Sequence, residues 1–223
     1  MKIDHAIVFG ATGLIGSLLL KLLVEDNEVS KITAITRREM HEADPKVKYK
    51  KIDFSNTDQL QACIIESSHV FSAIGTTQAQ VKGNKDLYRS IDFDITCKVA
   101  EACAKNSAEL FQFVSSSGAD SKSTNFYLKL KGEIEDAVMQ TDVKSLRIYR
   151  PGLLMGQRKE YRFGERIAQF LMPKLTWLLP AAYGPVQALS VAAQMLAMSK
   201  SNTTGKKIIE NEEILNFEGQ QQL

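Results

Sequence analysis

The chain has 223 residues, with 28 basic and 26 acidic side chains and a formal net charge of +2 at pH 7. Those charges are interspersed, which leaves no electrostatic case for nucleic acid or an anionic membrane surface as a partner. An apolar fraction of 44% with only 5 prolines describes an ordinary globular chain, long enough for one generous domain and too short for two.

Residues 5–16 read HAIVFGATGLIG: an apolar run, then Gly10, Gly13 and Gly16, followed by Leu18-Leu19-Leu20. This predicts a strand entering a helix through a turn with little side chain in it. Gly10 lets the chain turn tightly, Gly13 lets the backbone approach a pyrophosphate, and Gly16 lets the helix pack against the strand. The helix N-terminus adds unpaired N–H groups and the positive end of its dipole. A ligand-free packed turn is the plain alternative; the strand before and the helix after favour a dinucleotide. No basic segment leads into an apolar core at the start, so a signal peptide is not expected.

Beyond this turn, β-rich runs alternate with helical patterns. The runs are HAIVFG, KITAITR, VKYKKID, HVFSAIG, ELFQFVSSS, SLRIYRP and KKIIEN, and helical spacing covers 14–25, 58–66, 85–105 and 127–141. Strands separated by helices require crossovers. They predict an α/β protein with a doubly wound, mostly parallel Rossmann sheet and helices on both faces. Alternation fades after Pro151, where a small C-terminal cap at 155–200 is expected within a single domain covering 1–223. The uncharged stretch 175–199 is interrupted by Pro180, Gly184 and Pro185 and contains Gln187 and Gln194. It reads as a loop and then a buried helix from about Val186, not as a membrane span.

Several strand ends carry chemistry. The second closes in Thr36-Arg37-Arg38, where an acid would bind a ribose 2′-hydroxyl and repel a 2′-phosphate. Two guanidiniums suit the phosphate instead. A solvated surface pair is the alternative, and Glu39 beside them counts against the phosphate reading. Asp53 either accepts from an adenine amine or caps the helix starting near Asp58. Gly75, after Ile74, either lets the backbone pass the riboses or merely turns. Ser115-Ser116-Ser117-Gly118 closes the fifth strand, and Tyr127 and Lys131 follow four residues apart on one helix face. An ammonium beside a phenol favours the phenolate and suits proton exchange near neutral pH. A serine hydroxyl could hold the same substrate oxygen. Cys63, Cys97 and Cys103 are odd in number and lack metal-like spacing, so packed thiols in a reducing, cytoplasmic compartment are expected and no metal site is.

GATGLIG at 10–16, TRR at 36–38, GTT at 75–77, SSSGADSKSTNFYLKLKGEIE at 115–135 and RPGLL at 150–154 together resemble the short-chain dehydrogenase/reductase superfamily. More closely, they are similar to its atypical branch of NAD(P)-binding proteins. The resemblance implies NADP(H) held near Thr12, Gly13, Leu14, Ile15, Arg37, Arg38, Ile74, Gly75, Leu154 and Arg162. It also implies Tyr127 as proton donor and acceptor with Lys131 as its partner. Ser115, Ser116 and Ser117 compete as the catalytic serine; the branch shares the pair Ser115-Ser116 and usually turns the second member to the substrate, which selects Ser116. Human-type members carry an N-terminal extension expected to be missing here, and roles tied to it are not carried over. The implied activity is NADPH-dependent reduction of a small carbonyl compound. Two alternatives remain: an NADP(H)-sensing binder without turnover, and a sugar-nucleotide epimerase. The intact Ser, Tyr and Lys count against the first; the short segment after Pro151 and Arg37-Arg38 count against the second. Phe163, Phe170, Leu171, Trp177 and Tyr183 make the expected cap apolar and hint at a hydrophobic or aromatic ligand.

Overall fold

The computed structural model describes residues 2–41, 44–156, 181–201 and 204–221. All seven β-rich runs become strands of one parallel sheet: β1 (Ala6–Phe9), β2 (Ile32–Thr36), β3 (Val47–Lys51), β4 (His69–Ser72), β5 (Leu110–Val114), β6 (Ser145–Arg150) and, after the short β7 (Leu153–Met155) and β8 (Pro185–Gln187), β9 (Gly205–Glu210). The order is β3-β2-β1-β4-β5-β6-β9. The chain winds outward from β1 to β3 and then restarts on the other side of β1 with β4. In sheets of this kind the carboxyl edge at such a reversal is the usual ligand position.

Period-2 alternation assigns the strand side chains to two cores. Ile7, Phe9, Val70, Phe111 and Ile148 face one layer of helices, while Ala6, Val8, Phe71 and Tyr149 face the other. The first layer is α2 (Thr57–Gln61), α3 (Lys85–Arg89), α4 (Ile95–Lys105) and α5 (Phe126–Met139); the second is α1 (Leu14–Glu25), α6 (Ala188–Ser199) and α7 (Asn211–Gln221). Strands covered on both faces carry near-continuous apolar runs, and every residue of β1, β2 and β4 is buried.

The structure departs from the sequence reading in four places. The helix expected over 58–66 is only Thr57–Gln61, because the chain turns at once through Cys63 N–H to Leu60 O and Ile64 N–H to Gln61 O. The pattern over 85–105 is not one helix: a π-helical turn at Ser90–Asp94 separates α3 from α4. Strand β7, which ends where the expected cap begins, pairs in parallel with β8 inside it, and the expected buried helix starts at Ala188. Helix α7 follows β9, where no helical pattern had been read. Arg162, Phe163, Phe170, Leu171 and Trp177 lie outside the described residues. No described helix is long and apolar enough to cross a membrane.

Candidate active site

The turn between β1 and α1 is built by its glycines. Gly10 has φ +77, and a Cβ on it would stand 2.6 Å from the Ala73 carbonyl carbon just past β4. At Gly16 a Cβ would stand 2.1 Å from Gly10 O, so only glycine lets α1 lie this close to the turn. Gly13 caps α1 without a side chain, and the first turn of the helix holds no acid. Thr12 and Gly13 are exposed, Leu14 is half-buried and Ile15 is buried in the core. The turn closes on itself through the Gly13 N–H donating to Gly10 O at 2.9 Å and leaves the first N–H groups of α1 at the carboxyl edge, a cradle that fits a dinucleotide pyrophosphate.

At the end of β2 the Thr36 hydroxyl donates to Arg38 O at 2.8 Å. Both Arg37 and Arg38 are exposed, and neither has an ion-pair partner among the described residues. Glu39, the acid beside them, pairs instead with Lys51 at 3.1 Å. Asp53 accepts from the Ser55 N–H at 2.9 Å and the Ser55 hydroxyl at 2.7 Å, bonds that hold its carboxyl below the usual value. The α2 cap is Asn56, which accepts from the Gln59 N–H, so the capping role considered for Asp53 falls to another residue.

The loop after β4 leads to a residue the sequence reading missed. Asp92, 1% exposed, lies in the π-helical turn. Its Oδ1 accepts from the Thr76 N–H at 2.8 Å and its Oδ2 from Lys131 Nζ at 2.8 Å. The Tyr88 hydroxyl donates to Thr76 O at 2.9 Å, and Gly75 stands beside the Asp92 carboxylate without crowding it. A signal was available: Tyr88, Asp92, Thr96 and Val99 follow one helical stripe, and a carboxylate in the middle of a buried stripe needs a partner.

Helix α5 is capped by Asn125, which accepts from the Tyr127 N–H at 2.9 Å and the Leu128 N–H at 3.2 Å. Tyr127 and Lys131 share the expected face. The ammonium, however, is bonded to Asp92 and stands 5.8 Å from the centre of the Tyr127 ring. Burial works against the charge on Lys131. The Asp92 carboxylate, then Tyr127 and Glu135, outweigh it and hold the ammonium above its ordinary value.

The three serines after β5 have different partners. Ser115 donates to Glu135 Oε1 at 2.5 Å, and Glu135 is in turn gripped by Arg150, which also reaches Glu210 at 2.9 Å. Ser117 donates to Ala182 O at 2.5 Å. Ser116, half-buried, makes only a 3.3 Å side-chain contact among the described residues, with the neighbouring Ser117 O. Gly152 of the RPGLL run donates its N–H to Asn211 at 2.7 Å, and Leu154 is half-buried on β7. Cys63, Cys97 and Cys103 are free thiols. Burial raises all three above the ordinary thiol value, Cys97 to about 12, so none is poised as a thiolate.

A glycine cradle at the sheet's switch point, followed by a serine loop and a Tyr-Lys helix face at the same edge, defines a dinucleotide-binding Rossmann protein. The chain belongs to the NAD(P)H-binding family, whose sequence pattern matches residues 10–175. Among curated relatives, the mitochondrial protein FMP52 of Candida albicans is 32% identical over 89% of this chain and 89% of its own length. HTATIP2 of Rattus norvegicus is 31% identical over 97% of this chain and 90% of its own. FMP52 proteins of Saccharomyces cerevisiae and Emericella nidulans, at 36% and 33% identity, are also named mitochondrial. These names overturn the expected cytoplasmic location. Cysteine usage was too weak a basis for it, since the reduced thiols expected in cytosol are equally compatible with other reducing compartments. Two solved structures share the fold: MoeE5 in complex with UDP-glucuronic acid and NAD (TM-score 0.69, 16% identity, 96% of this chain and 80% of that one), and uronate dehydrogenase from Agrobacterium tumefaciens (TM-score 0.67, 12% identity, 94% and 76%).

Proposed function

We propose that this protein is an NADPH-dependent oxidoreductase that reduces a small carbonyl compound, with Tyr127 as the proton donor. One observation carries the reading: of the three serines at the carboxyl edge, only Ser116 keeps a hydroxyl uncommitted to another part of the fold among the described residues, and it stands at the edge that presents Tyr127 and Lys131. Bound NADPH would supply the hydride to the carbonyl carbon. The N–H groups that open α1 after Gly13 would hold its pyrophosphate, Arg37 and Arg38 its 2′-phosphate, and Ile74, Gly75 and Leu154 would flank its riboses. Ser116 donates a hydrogen bond to the substrate oxygen. Tyr127 Oη gives that oxygen its proton as the carbon is reduced, and Lys131 keeps a positive charge beside the phenol. Tyr127→Phe removes the proton and leaves the cradle untouched. It should lower kcat by about 10²–10⁴-fold, the usual contribution of a positioned acid, without changing NADPH affinity. Full turnover by Tyr127→Phe on a verified substrate would sink the reading.

A second reading, an NADP(H)-sensing binder without turnover, draws on the Lys131–Asp92 pair, which occupies the ammonium away from the phenol. Sustained NADPH consumption with any carbonyl compound separates the two.

A further inference from the structure

The proposed reaction leaves one side chain next to the serine loop unused. Tyr183 ends the short 3₁₀ turn Ala181–Tyr183 and is 48% exposed. Its ring lies against Gly118. A Cβ on that glycine, which has φ +77, would stand 3.1 Å from Tyr183 Cε1, 3.5 Å from its hydroxyl oxygen and 3.7 Å from Leu128 Cδ1. Gly118 comes two residues after Ser116, and Leu128 directly follows Tyr127. The ring therefore lies against the loop that carries the proposed serine, at a point that Leu128, the neighbour of Tyr127, also approaches.

The backbone on either side of this ring is fixed. Ser117 Oγ donates to Ala182 O at 2.5 Å, while Asn211 Nδ2 donates to Ala181 O at 2.7 Å and Gly184 O at 3.2 Å. Asn211 is completely buried, and its Oδ1 takes the Gly152 N–H at 2.7 Å, so one asparagine ties the Ala181–Gly184 turn to the loop after β6. A turn held this firmly usually serves to bury what it carries. Here the phenol is left half in solvent, and its hydroxyl bonds to no described residue. Order with exposure beside the serine loop is the pattern of a contact surface, as in binding sites where aromatic rings supply rigid area at little entropic cost.

We infer that Tyr183 is a wall of the substrate site, and that its ring selects carbonyl compounds carrying a flat aromatic group beside the reacting carbon. The inference rests on the reductase reading for where the carbonyl sits. An aromatic group can meet the Tyr183 ring edge-to-face or offset and gain from the ring quadrupoles as well as from burial; a saturated ring of the same size gains only the burial.

Acetophenone and cyclohexyl methyl ketone make a matched pair of probes. Their affinities for the NADP⁺-loaded protein, titrated by ligand-observed NMR, read the contact without turnover. Acetophenone should bind more tightly by roughly three- to tenfold. Tyr183→Ala should abolish that preference, Tyr183→Phe should keep it, and both variants should bind NADP⁺ as the native protein does. In turnover with NADPH, Tyr183→Ala should raise the KM for acetophenone and leave kcat within about twofold, the signature of lost uniform binding. The inference is overturned if acetophenone does not bind, if the native protein shows no preference, or if Tyr183→Ala retains it. Should neither ketone be reduced while the Tyr183-dependent preference persists, the reductase reading fails and the wall stands.

Discussion

Asp92 shows what a single buried charge demands. A carboxylate at 1% exposure needs compensation, and the Lys131 ammonium and the Thr76 N–H supply it at 2.8 Å each. Asp92→Asn keeps the shape and deletes the charge, leaving burial to act on Lys131 unopposed by its main partner. Breaking one side of a buried pair typically costs about 3–5 kcal/mol, and urea unfolding near neutral pH should show a loss of this order. In the native protein the raised Lys131 pKa adds stability that is complete below the unfolded lysine value of about 10.4 and is lost as pH rises through the folded value. In Asp92→Asn the sign reverses, because the buried lysine would rather shed its proton. The deficit relative to the native protein should therefore shrink as the pH is raised toward about 10. A deficit constant over that range would mean that Asp92 acts through shape and hydrogen bonding alone.

At the scale of elements, the amino edge of the sheet holds a second titration. His5 precedes β1 and His69 opens β4, with the His69 N–H donating to His5 O at 2.9 Å. The Nδ1 atoms of both rings are buried with no hydrogen-bond partner among the described residues. Burial holds both imidazoles below the ordinary value of 6.5; Lys31 adds to this at His5, while Glu109 and Asp4 pull the other way at His69. Protons taken up by the unfolded chain are refused by the folded one, so this stability is full above 6.5 and is lost as pH falls through the folded values. Each kcal/mol lost lowers the Tm of a domain this size by roughly 2–4 °C, and a fall of that order is expected between about pH 7 and pH 5. The double variant His5→Gln, His69→Gln should flatten the slope; an unchanged slope would assign it to other groups.

These elements also show what periodicity can carry. Every strand of the main sheet was legible, because residues buried on both faces leave an apolar run such as AIVF or HVFS that turn residues delimit. Helix α1 was legible for the same reason. The break at Ser90–Asp94 was not, since buried positions recur at helical spacing straight through it, from Tyr88 to Asp92, Thr96 and Val99. Strands β7 and β8 are three residues each, too short for a period, and α7 begins inside a run of polar side chains. Within the candidate site, residue types singled out Tyr127, Lys131 and the glycines as candidates, while the separation of Ser116 from Ser115 and Ser117 depends on partners, Glu135 and Ala182 O, that lie far along the chain.

For the molecule as a whole, a bound cofactor would join what the sheet's reversal of order separates. The cradle belongs to the β1–α1 turn, the paired arginines to the end of β2, and the serine loop and Tyr-Lys face to elements on the other side of β1. A ligand that binds only when these segments are folded stabilises all of them together, by about 2.7 kcal/mol at a hundred times its Kd. For a domain of this length that corresponds to a Tm increase of roughly 5–10 °C. Arg37 and Arg38, exposed and without ion-pair partners among the described residues, favour a 2′-phosphate, so NADPH should raise the Tm more than NADH at equal concentration. Replacing both arginines with alanine removes one or two charge-assisted bonds of about 1.5–3 kcal/mol each and should bring the NADPH shift down to that of NADH. The NADH shift itself should not change, because the glycine cradle is untouched. A native protein stabilised equally by the two cofactors would show that the arginines are merely solvated and that the 2′-position is not read.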